Sequence, residues 1–122
     1  MEIESKIKSY KDLIVWQKSY ELTKLIYTLT MRLPKDEIYG LSSQIRRSAV
    51  SIPSNIAEGS HRKTRKDFGQ FLHIAFGSVG EVETQLYLCR DLYNIDTSNA
   101  LKLIEEISKM LRVFIKKLET NN

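Results

Sequence analysis

"SIPSNIAEGSHRKTRKDF", from Ser51 to Phe68, joins two predicted helices and decides how the chain folds. Apolar residues recur every three or four positions up to Ile56, which predicts a helix that continues past Pro53. A proline inside a helix costs about 3 kcal/mol, so we expect a kink at Pro53 rather than an end. Gly59 then ends the helix and is a candidate for a left-handed cap. The stretch therefore predicts a helix, a short turn and another helix.

Pro53 also has a specific consequence for the backbone. It lacks the N–H group that would bond the carbonyl of Ala49, one turn earlier in the helix. A buried carbonyl without a partner costs free energy, so another donor has to compensate. The sequence offers the hydroxyl groups of Ser48 and Ser51 for the freed backbone groups.

Helical periodicity extends outward from this stretch to almost the whole chain. The predicted helices span about 12–33, 35–58, 65–92 and 98–118. No stretch alternates with the period of a strand, and the connections are short. The sequence therefore predicts one all-α domain over residues 1–122. Its architecture is an up-down-up-down antiparallel four-helix bundle, with the Pro53 kink in the second helix.

Two predicted helices have features that a simple bundle does not require. The apolar arc of the first helix is about 200° wide, against about 100° for an ordinary core-facing stripe. Either this helix buries a second surface against another subunit, or the bundle covers the whole arc. The third helix contains Gly69, Gly77 and Gly80, each of which costs about 1 kcal/mol. We expect either close approach of a neighbouring backbone or a bend at Gly77–Gly80.

Composition excludes several classes of protein. The chain has 122 residues, 42% of them hydrophobic, and only two prolines, which indicates a folded domain rather than a disordered segment. The charged N-terminus does not resemble a secretion signal, and no apolar run is long enough for a membrane span. We therefore expect a cytoplasmic protein without membrane association. Cys89 is the only cysteine, which excludes an intramolecular disulfide.

The net charge of +4 is concentrated in one segment. Between Arg46 and Lys66 there are six basic residues and one acid, so this segment holds essentially all of the excess. Such a concentration favours contact with a polyanion, although a solvated turn that aids solubility is the alternative. No aromatic residue is interleaved with the cations, so we expect phosphate contacts rather than base stacking. The candidate nucleic-acid-binding residues are Arg46, Arg47, Arg62, Lys63, Arg65 and Lys66.

The sequence offers little for catalysis or metal binding. Glu58 and His61 have the E-x-x-H spacing of di-iron bundles, but Gly59 interrupts the helix between them. A second copy is missing because Gln70 stands where the motif before His73 would need an acid. No phosphate-binding glycine loop or nucleophile motif occurs. We expect no enzymatic activity, no metal and no cofactor.

Three stretches carry a family resemblance: "DLIVWQKSYEL" from Asp12, "YGLSSQIRRSAVSIPSNIAEGS" from Tyr39 and "FLHIAFGSVGEVETQL" from Phe71. They resemble the bacterial, ribosomal-protein-like four-helix proteins first noticed as products of intervening sequences in 23S rRNA genes. The run S-I-P-x-N-I-A-E-G is the most specific element. Its signature residues are Ser51, Ile52, Pro53, Asn55, Glu58 and Gly59, and Arg46 and Arg47 precede them.

The resemblance implies a subunit that assembles into a ring, a homopentamer, without enzymatic activity. Similarity to the accessory protein of diversity-generating retroelements implies a basic ring that binds nucleic acid and a reverse transcriptase. We therefore expect a non-enzymatic oligomeric module that contacts RNA or DNA phosphates, as an RNA, ribonucleoprotein or retroelement accessory protein. The alternative is a structural scaffold or protein–protein interaction module with no nucleic-acid role.

Overall fold

The computed structural model describes residues 9–120, and helices account for most of them. The four α-helices are α1 (Ile14–Thr30), α2 (Leu41–Ser60), α3 (Arg65–Tyr93) and α4 (Ser98–Thr120). Short 3-10 turns precede α1 and α2, at Tyr10–Asp12 and Lys35–Glu37. No strand occurs among the described residues, so the prediction of an all-α four-helix protein is confirmed.

The helices pack in the order in which they follow one another in the chain. α1 contacts α2, α2 contacts α3, α3 contacts α4, and α4 returns to contact α1. Between α1 and α2, contacts pair rising residue numbers with falling ones: Tyr27 with Arg46, Thr23 with Ala49, and Tyr10 with His61. This register identifies antiparallel neighbours, and the short connections give the up-down-up-down bundle that the sequence predicts.

Buried apolar side chains from all four helices form one core cluster. They recur at three- and four-residue spacing because only one stripe of each helix faces the centre. Leu22, Ile52, Leu86 and Ile107 are fully buried representatives, one from each helix. Cys89 lies in the same core, where burial raises the pKa of its thiol to about 11. The thiol is therefore uncharged and packs as a small apolar group.

The second helix begins later than predicted, at Leu41 rather than near residue 35. Residues Lys35–Glu37 form a separate 3-10 turn, and Gly40, with φ −114° and ψ −115°, is neither helical nor extended and precedes α2. The Glu37 carboxylate accepts a hydrogen bond from the Leu41 N–H at 3.0 Å. An acid at this position stabilises the positive end of the helix, so Glu37 caps α2 instead of lying inside it.

Helix α2 continues through Pro53, as the sequence predicts. The Thr23 hydroxyl of α1 lies 3.2 Å from the Ala49 carbonyl oxygen and 2.9 Å from the Ser19 carbonyl oxygen of its own helix, so its one hydrogen is shared between the two. The prediction of Ser48 or Ser51 as donor to this carbonyl is wrong. Ser48 donates to the carbonyl of its own preceding turn, and Ser51 bonds a serine hydroxyl on α3. The proline is thus accommodated by a side chain from the neighbouring helix.

Gly59 is a helical residue and not a left-handed cap, so that prediction is wrong. A Cβ at Gly59 would lie 2.8 Å from atoms of Phe68 and Phe71, which is too close for real carbon contacts. The glycine therefore allows α3 to approach α2 just before the turn. The left-handed cap occurs elsewhere, at Asn94, which ends α3 with a φ of 55°.

The three glycines of α3 have a different environment. At Gly69, Gly77 and Gly80, a Cβ would have no neighbouring heavy atom within 4 Å among the described residues. This excludes the chain neighbours of each glycine and the nearby backbone of α3. The expectation that a neighbouring backbone approaches them closely is wrong for contacts within the chain. Their helical cost of about 1 kcal/mol each is not offset by packing at these positions.

Candidate nucleic-acid interface

The connection between α2 and α3 lies at the end of the bundle where α1 begins and α4 ends. The Tyr10 ring lies 5.7 Å from the His61 ring, and the Arg65 guanidinium contacts the last turn of α4. We call this end, residues 58–67 and 112–120, the turn end. Its two segments contain seven cations and three acids.

The turn itself is short because α3 begins with a strong local signal. Thr64 has an extended backbone, and its hydroxyl accepts a hydrogen bond from the Asp67 N–H at 3.1 Å. Thr64 is therefore the N-cap of α3, and an acid follows it three residues later, as in a capping box. The connection therefore holds Arg62 and Lys63 between two helix ends and places Lys66 in the first turn of α3.

Arg62 has two partners within the chain. Its guanidinium lies 2.9 Å from the Glu58 carboxylate, one helical turn earlier, and 4.7 Å from the centre of the Phe71 ring. Both charged side chains are about half exposed, and exposed ion pairs contribute little to stability. Arg62 is therefore oriented by its neighbours while its charge remains at the surface.

Arg65 has a structural role. Its guanidinium donates to the Leu118 carbonyl at 3.3 Å and to the Lys117 carbonyl at 3.0 Å. The last carbonyls of a helix lack partners within that helix, and they carry its negative dipole end. Arg65 thus joins the start of α3 to the end of α4. Much of its hydrogen-bonding capacity is therefore used inside the protein.

Lys63 and Lys66 are the exposed cations of the turn without such partners. Within residues 9–120, no acidic oxygen lies within 4 Å of either ammonium group. The acid Glu119 instead approaches His73, at 3.4 Å. These two lysines are therefore available to an external anion.

Sequence reasoning missed three further cations at this end. Arg112, Lys116 and Lys117 are exposed in the last turns of α4. The signal was present, because in an up-down-up-down bundle the fourth helix ends where the second ends. The turn end therefore combines cations from two distant parts of the chain.

Arg46 and Arg47 do not belong to this cluster. Sixteen residues separate Arg46 from Arg62, which is about 24 Å along a helix. The Arg46 guanidinium donates to the Thr30 hydroxyl at 2.9 Å and to the Tyr27 carbonyl at 3.4 Å. The structure therefore divides the six predicted residues: four lie at the turn, and two lie near the opposite end of α2.

The signature residues of α2 chiefly hold helices together. Asn55 donates to the Ser51 carbonyl at 2.8 Å, and the Ser51 hydroxyl lies 2.8 Å from the Ser78 hydroxyl of α3. Ile52 is fully buried, as is expected of a core position. Together with Pro53 and Gly59, these residues shape the contacts of α2 with α1 and α3. Glu58 is the charged signature residue at the turn end.

The E-x-x-H pair does not converge on one point. Glu58 pairs with Arg62, whereas His61 packs its ring edge-on against Tyr10. Within residues 9–120, no three metal-ligating side chains lie together. In the same part of the chain, no helix combines the length and apolar character that crossing a bilayer requires.

Comparison with known proteins agrees with this architecture. A family model described as "23S rRNA-intervening sequence protein" matches residues 11–116. The chain belongs to this family. A comparison with curated proteins finds no significant match.

A solved structure shows the same fold as this member of the intervening-sequence protein family. It is a crystal structure of a Bacteroides thetaiotaomicron protein with unknown function from the S23 ribosomal protein family. The two chains are 30% identical, with a TM-score of 0.75. The match covers 84% of this chain and 99% of the other. The predicted family is thereby confirmed.

Proposed function

We propose that the protein is a cytoplasmic, non-enzymatic helical-bundle module that binds the phosphates of RNA or DNA through the turn end. One observation carries the proposal: the turn end has seven cations and three acids. The opposite end, residues 31–40 and 90–99, has three cations and four acids. A polyanion would therefore be attracted to one end of the bundle.

The local contacts assign different roles to the cations. Lys63 and Lys66, which lack an internal anionic partner among residues 9–120, make the direct phosphate contacts. Lys116 and Lys117 extend the surface from α4. Arg62 contributes by exchanging the exposed Glu58 carboxylate for a phosphate oxygen, which arginine binds in bidentate geometry.

Binding of this kind has a characteristic salt dependence. Each neutralised phosphate releases bound counterions, so four lysine contacts on a duplex predict a slope of roughly −3 to −4 in log affinity against log salt. Phosphates carry no sequence information, so the affinity should differ little between unrelated sequences.

The test is fluorescence anisotropy with a labelled duplex over a salt series. The variant Lys63→Glu/Lys66→Glu should lower affinity at low salt by at least tenfold and make the salt slope less steep. The matched control is Lys35→Glu/Lys102→Glu, which changes the net charge equally at exposed lysines near the opposite end. We expect the control to retain most of the affinity.

Two results would contradict the proposal. The first is no detectable binding of RNA or DNA by the unmodified protein at low salt. The second is an equal loss in both variants, because that would indicate a response to net charge rather than to the turn end. Circular dichroism of each variant establishes that the helices are intact.

A second candidate function is a self-associating scaffold, favoured by an apolar surface between α1 and α4. Ile14 and Val113 lie on it and are 54% and 55% exposed, next to Leu13 and Met110. We propose that this surface joins subunits of the homopentameric ring. Light scattering should give a smaller mass for Ile14→Asp/Val113→Asp and an unchanged mass for the control Ile74→Asp. An unmodified protein with the mass of a monomer would contradict this role.

A further inference from the structure

Aromatic side chains line a groove between α1 and α2. Its volume is about 640 Å³, and four rings contribute to its lining: Tyr10, Trp16, Tyr20 and Tyr27. Pro53 and Ala57 of α2 form part of the facing wall. None of its ten lining residues within 9–120 is acidic. The described part of the groove is thus apolar and aromatic, without negative charge in its lining.

The sequence explains why the rings share one face. Trp16, Tyr20 and Tyr27 are separated by four and seven residues, which places them along one stripe of α1. This stripe is beside the one that faces the core, and it accounts for the broad apolar arc of the helix. Tyr20 and Tyr27 are 49% and 42% exposed, so the bundle does not cover the whole arc.

Three of the four rings also contact one another. Tyr10 packs edge-on against Trp16 at 5.2 Å between ring centres, and Trp16 stacks on Tyr20 at 5.1 Å with 25° between the planes. Together they form a continuous aromatic row. Planar rings held in this way are preorganised to receive another flat ring.

Two cations lie beside the groove at its Tyr20 and Tyr27 rings. The Lys24 ammonium lies 5.2 Å from the centre of the Tyr20 ring, and the Arg46 guanidinium lies 4.5 Å from that of Tyr27. At the other end, Tyr10 contacts His61, which directly precedes Arg62. The groove is therefore continuous with the turn end, and the fold brings together the aromatic and basic residues that are separate in the sequence.

We propose that this groove binds unpaired nucleobases of single-stranded RNA or DNA by stacking, while the phosphates follow the flanking cations. The inference rests on the proposed function and adds the form of nucleic acid that is preferred. Bases stack on aromatic rings and on arginine guanidinium planes alike, and Arg46 flanks the groove where it lies over the Tyr27 ring. Bases inside a duplex are already stacked and do not enter the groove.

Charge complementarity favours a nucleic acid over a protein occupant. A second copy of the chain or an apolar peptide would cover the Lys24 ammonium, and burying this cation without an anionic partner is costly. A single strand instead supplies both flat apolar rings and phosphate anions. The exposed apolar surface between α1 and α4 lies on another side of α1 and is a separate candidate for self-association.

The chain contains its own probe for this binding. Trp16 is the only tryptophan, and a base that stacks in the groove should quench its fluorescence. The ligands are a 12-nucleotide oligouridylate, a 12-nucleotide oligothymidylate and a 12-base-pair duplex. We expect both single strands to quench Trp16 and the duplex to leave its fluorescence nearly unchanged while it still binds by anisotropy.

The test variant is Tyr20→Ala/Tyr27→Ala, which removes two exposed rings. The loss should be about 30-fold or more for the single strands, since each stacked base accounts for at least about a fivefold factor. Duplex affinity should change by less than about twofold, because the phosphate contacts are intact. The matched control is Tyr87→Ala on α3, where an exposed tyrosine also lies under an arginine, at 4.9 Å. This control should bind all three ligands normally.

The outcomes separate the inference from the proposed function. In one outcome, duplex binding depends on Lys63 and Lys66, but the tyrosine variant binds single strands with unchanged affinity. This result overturns the inference and leaves the proposed function standing. A change of molar mass in this variant without a change in single-strand affinity also overturns it, by identifying the groove as a contact between subunits. Failure of the unmodified protein to bind any of the three ligands overturns both.

Discussion

The two ends of the bundle contain the same kinds of helix termini but differ in the balance of their charged residues. Each end holds the starts of two helices and the ends of two others. The helix dipoles therefore predict no difference in charge between the ends. Yet cations exceed acids at the turn end, whereas the opposite end has one more acid than cations. The excess at the turn end thus needs a cause other than helix stabilisation.

At the opposite end, Glu37 and Asp96 stabilise the starts of helices. Glu37 caps α2 through the Leu41 N–H and also accepts a hydrogen bond from the Tyr93 hydroxyl. Asp96 accepts from the N–H and the hydroxyl of Ser98, at the start of α4. These carboxylates are therefore engaged inside the protein. A surplus charge that helix capping does not account for, as at the turn end, therefore indicates contact with an external partner.

The largest expected effect concerns the apolar anchor of the turn end. Phe68 is buried and packs edge-on against Phe114 at 5.2 Å. Phe68→Ala should lower the free energy of unfolding by about 3–5 kcal/mol, since it leaves a cavity between α3 and α4. Urea denaturation measures this loss, with the exposed Ile74→Ala as the control. A loss no larger than that of the control would show that Phe68 does not anchor this end.

The next effect distinguishes two glycines of the same chain. Gly59→Ala places a Cβ 2.8 Å from Phe68 and Phe71, so overpacking should destabilise the protein by about 1–3 kcal/mol. Gly77→Ala meets open space and should stabilise α3 by about 0.5–1 kcal/mol. Thermal unfolding of both variants should therefore show shifts of opposite sign. Two shifts of the same sign would contradict the close approach of α3 to Gly59.

A smaller effect on stability distinguishes Arg65, which is hydrogen-bonded inside the protein, from Lys66, which is exposed. Arg65→Met removes the hydrogen bonds to the Leu118 and Lys117 carbonyls and should cost about 1–2 kcal/mol of stability. Lys66→Met, one residue later, should change stability by less than about 0.5 kcal/mol. Chemical denaturation compares the two. Equal effects would mean that the turn end does not divide its cations between structure and surface.

The smallest effect tests the opposite end through its pH dependence. Hydrogen bonds from the Tyr93 hydroxyl and then from the Leu41 N–H hold the pKa of Glu37 below its ordinary 4.5. The stabilisation is therefore complete above pH 4.5 and is lost as the pH falls through the lower folded-state pKa. Between pH 6 and pH 3, the urea midpoint should fall further in the unmodified protein than in Tyr93→Phe. The control Tyr87→Phe should follow the unmodified protein, and a fall as large in Tyr93→Phe would contradict the role of this hydrogen bond.

Local patterns predicted the helices, since periodicity and the Thr64 cap depend on residues close in sequence. The same local patterns gave wrong predictions where a residue's contact partner is distant in sequence. The start of α2 depends on Glu37, which Tyr93 orients from 56 positions away. The accommodation of Pro53 depends on a donor from α1. These partners become neighbours only after the helices pack.

The candidate site was predictable in part for the same reason. The cations of the turn are contiguous in sequence, whereas Lys116 and Lys117 reach them only through the bundle topology. The separation of Arg46 from the turn follows from the helical rise of about 1.5 Å per residue. The helical rise and the four-helix topology together are sufficient to place both groups of basic residues from the sequence.

The central claim is that nucleic acid contacts the turn end and not the opposite end. Lysine acetylation with mass-spectrometric readout, with and without bound RNA at low salt, tests this most directly. We predict protection of Lys63, Lys66, Lys116 and Lys117 in the complex, and unchanged modification of Lys35 and Lys102. Protection of the opposite end, or equal protection of all of these lysines, would contradict the account.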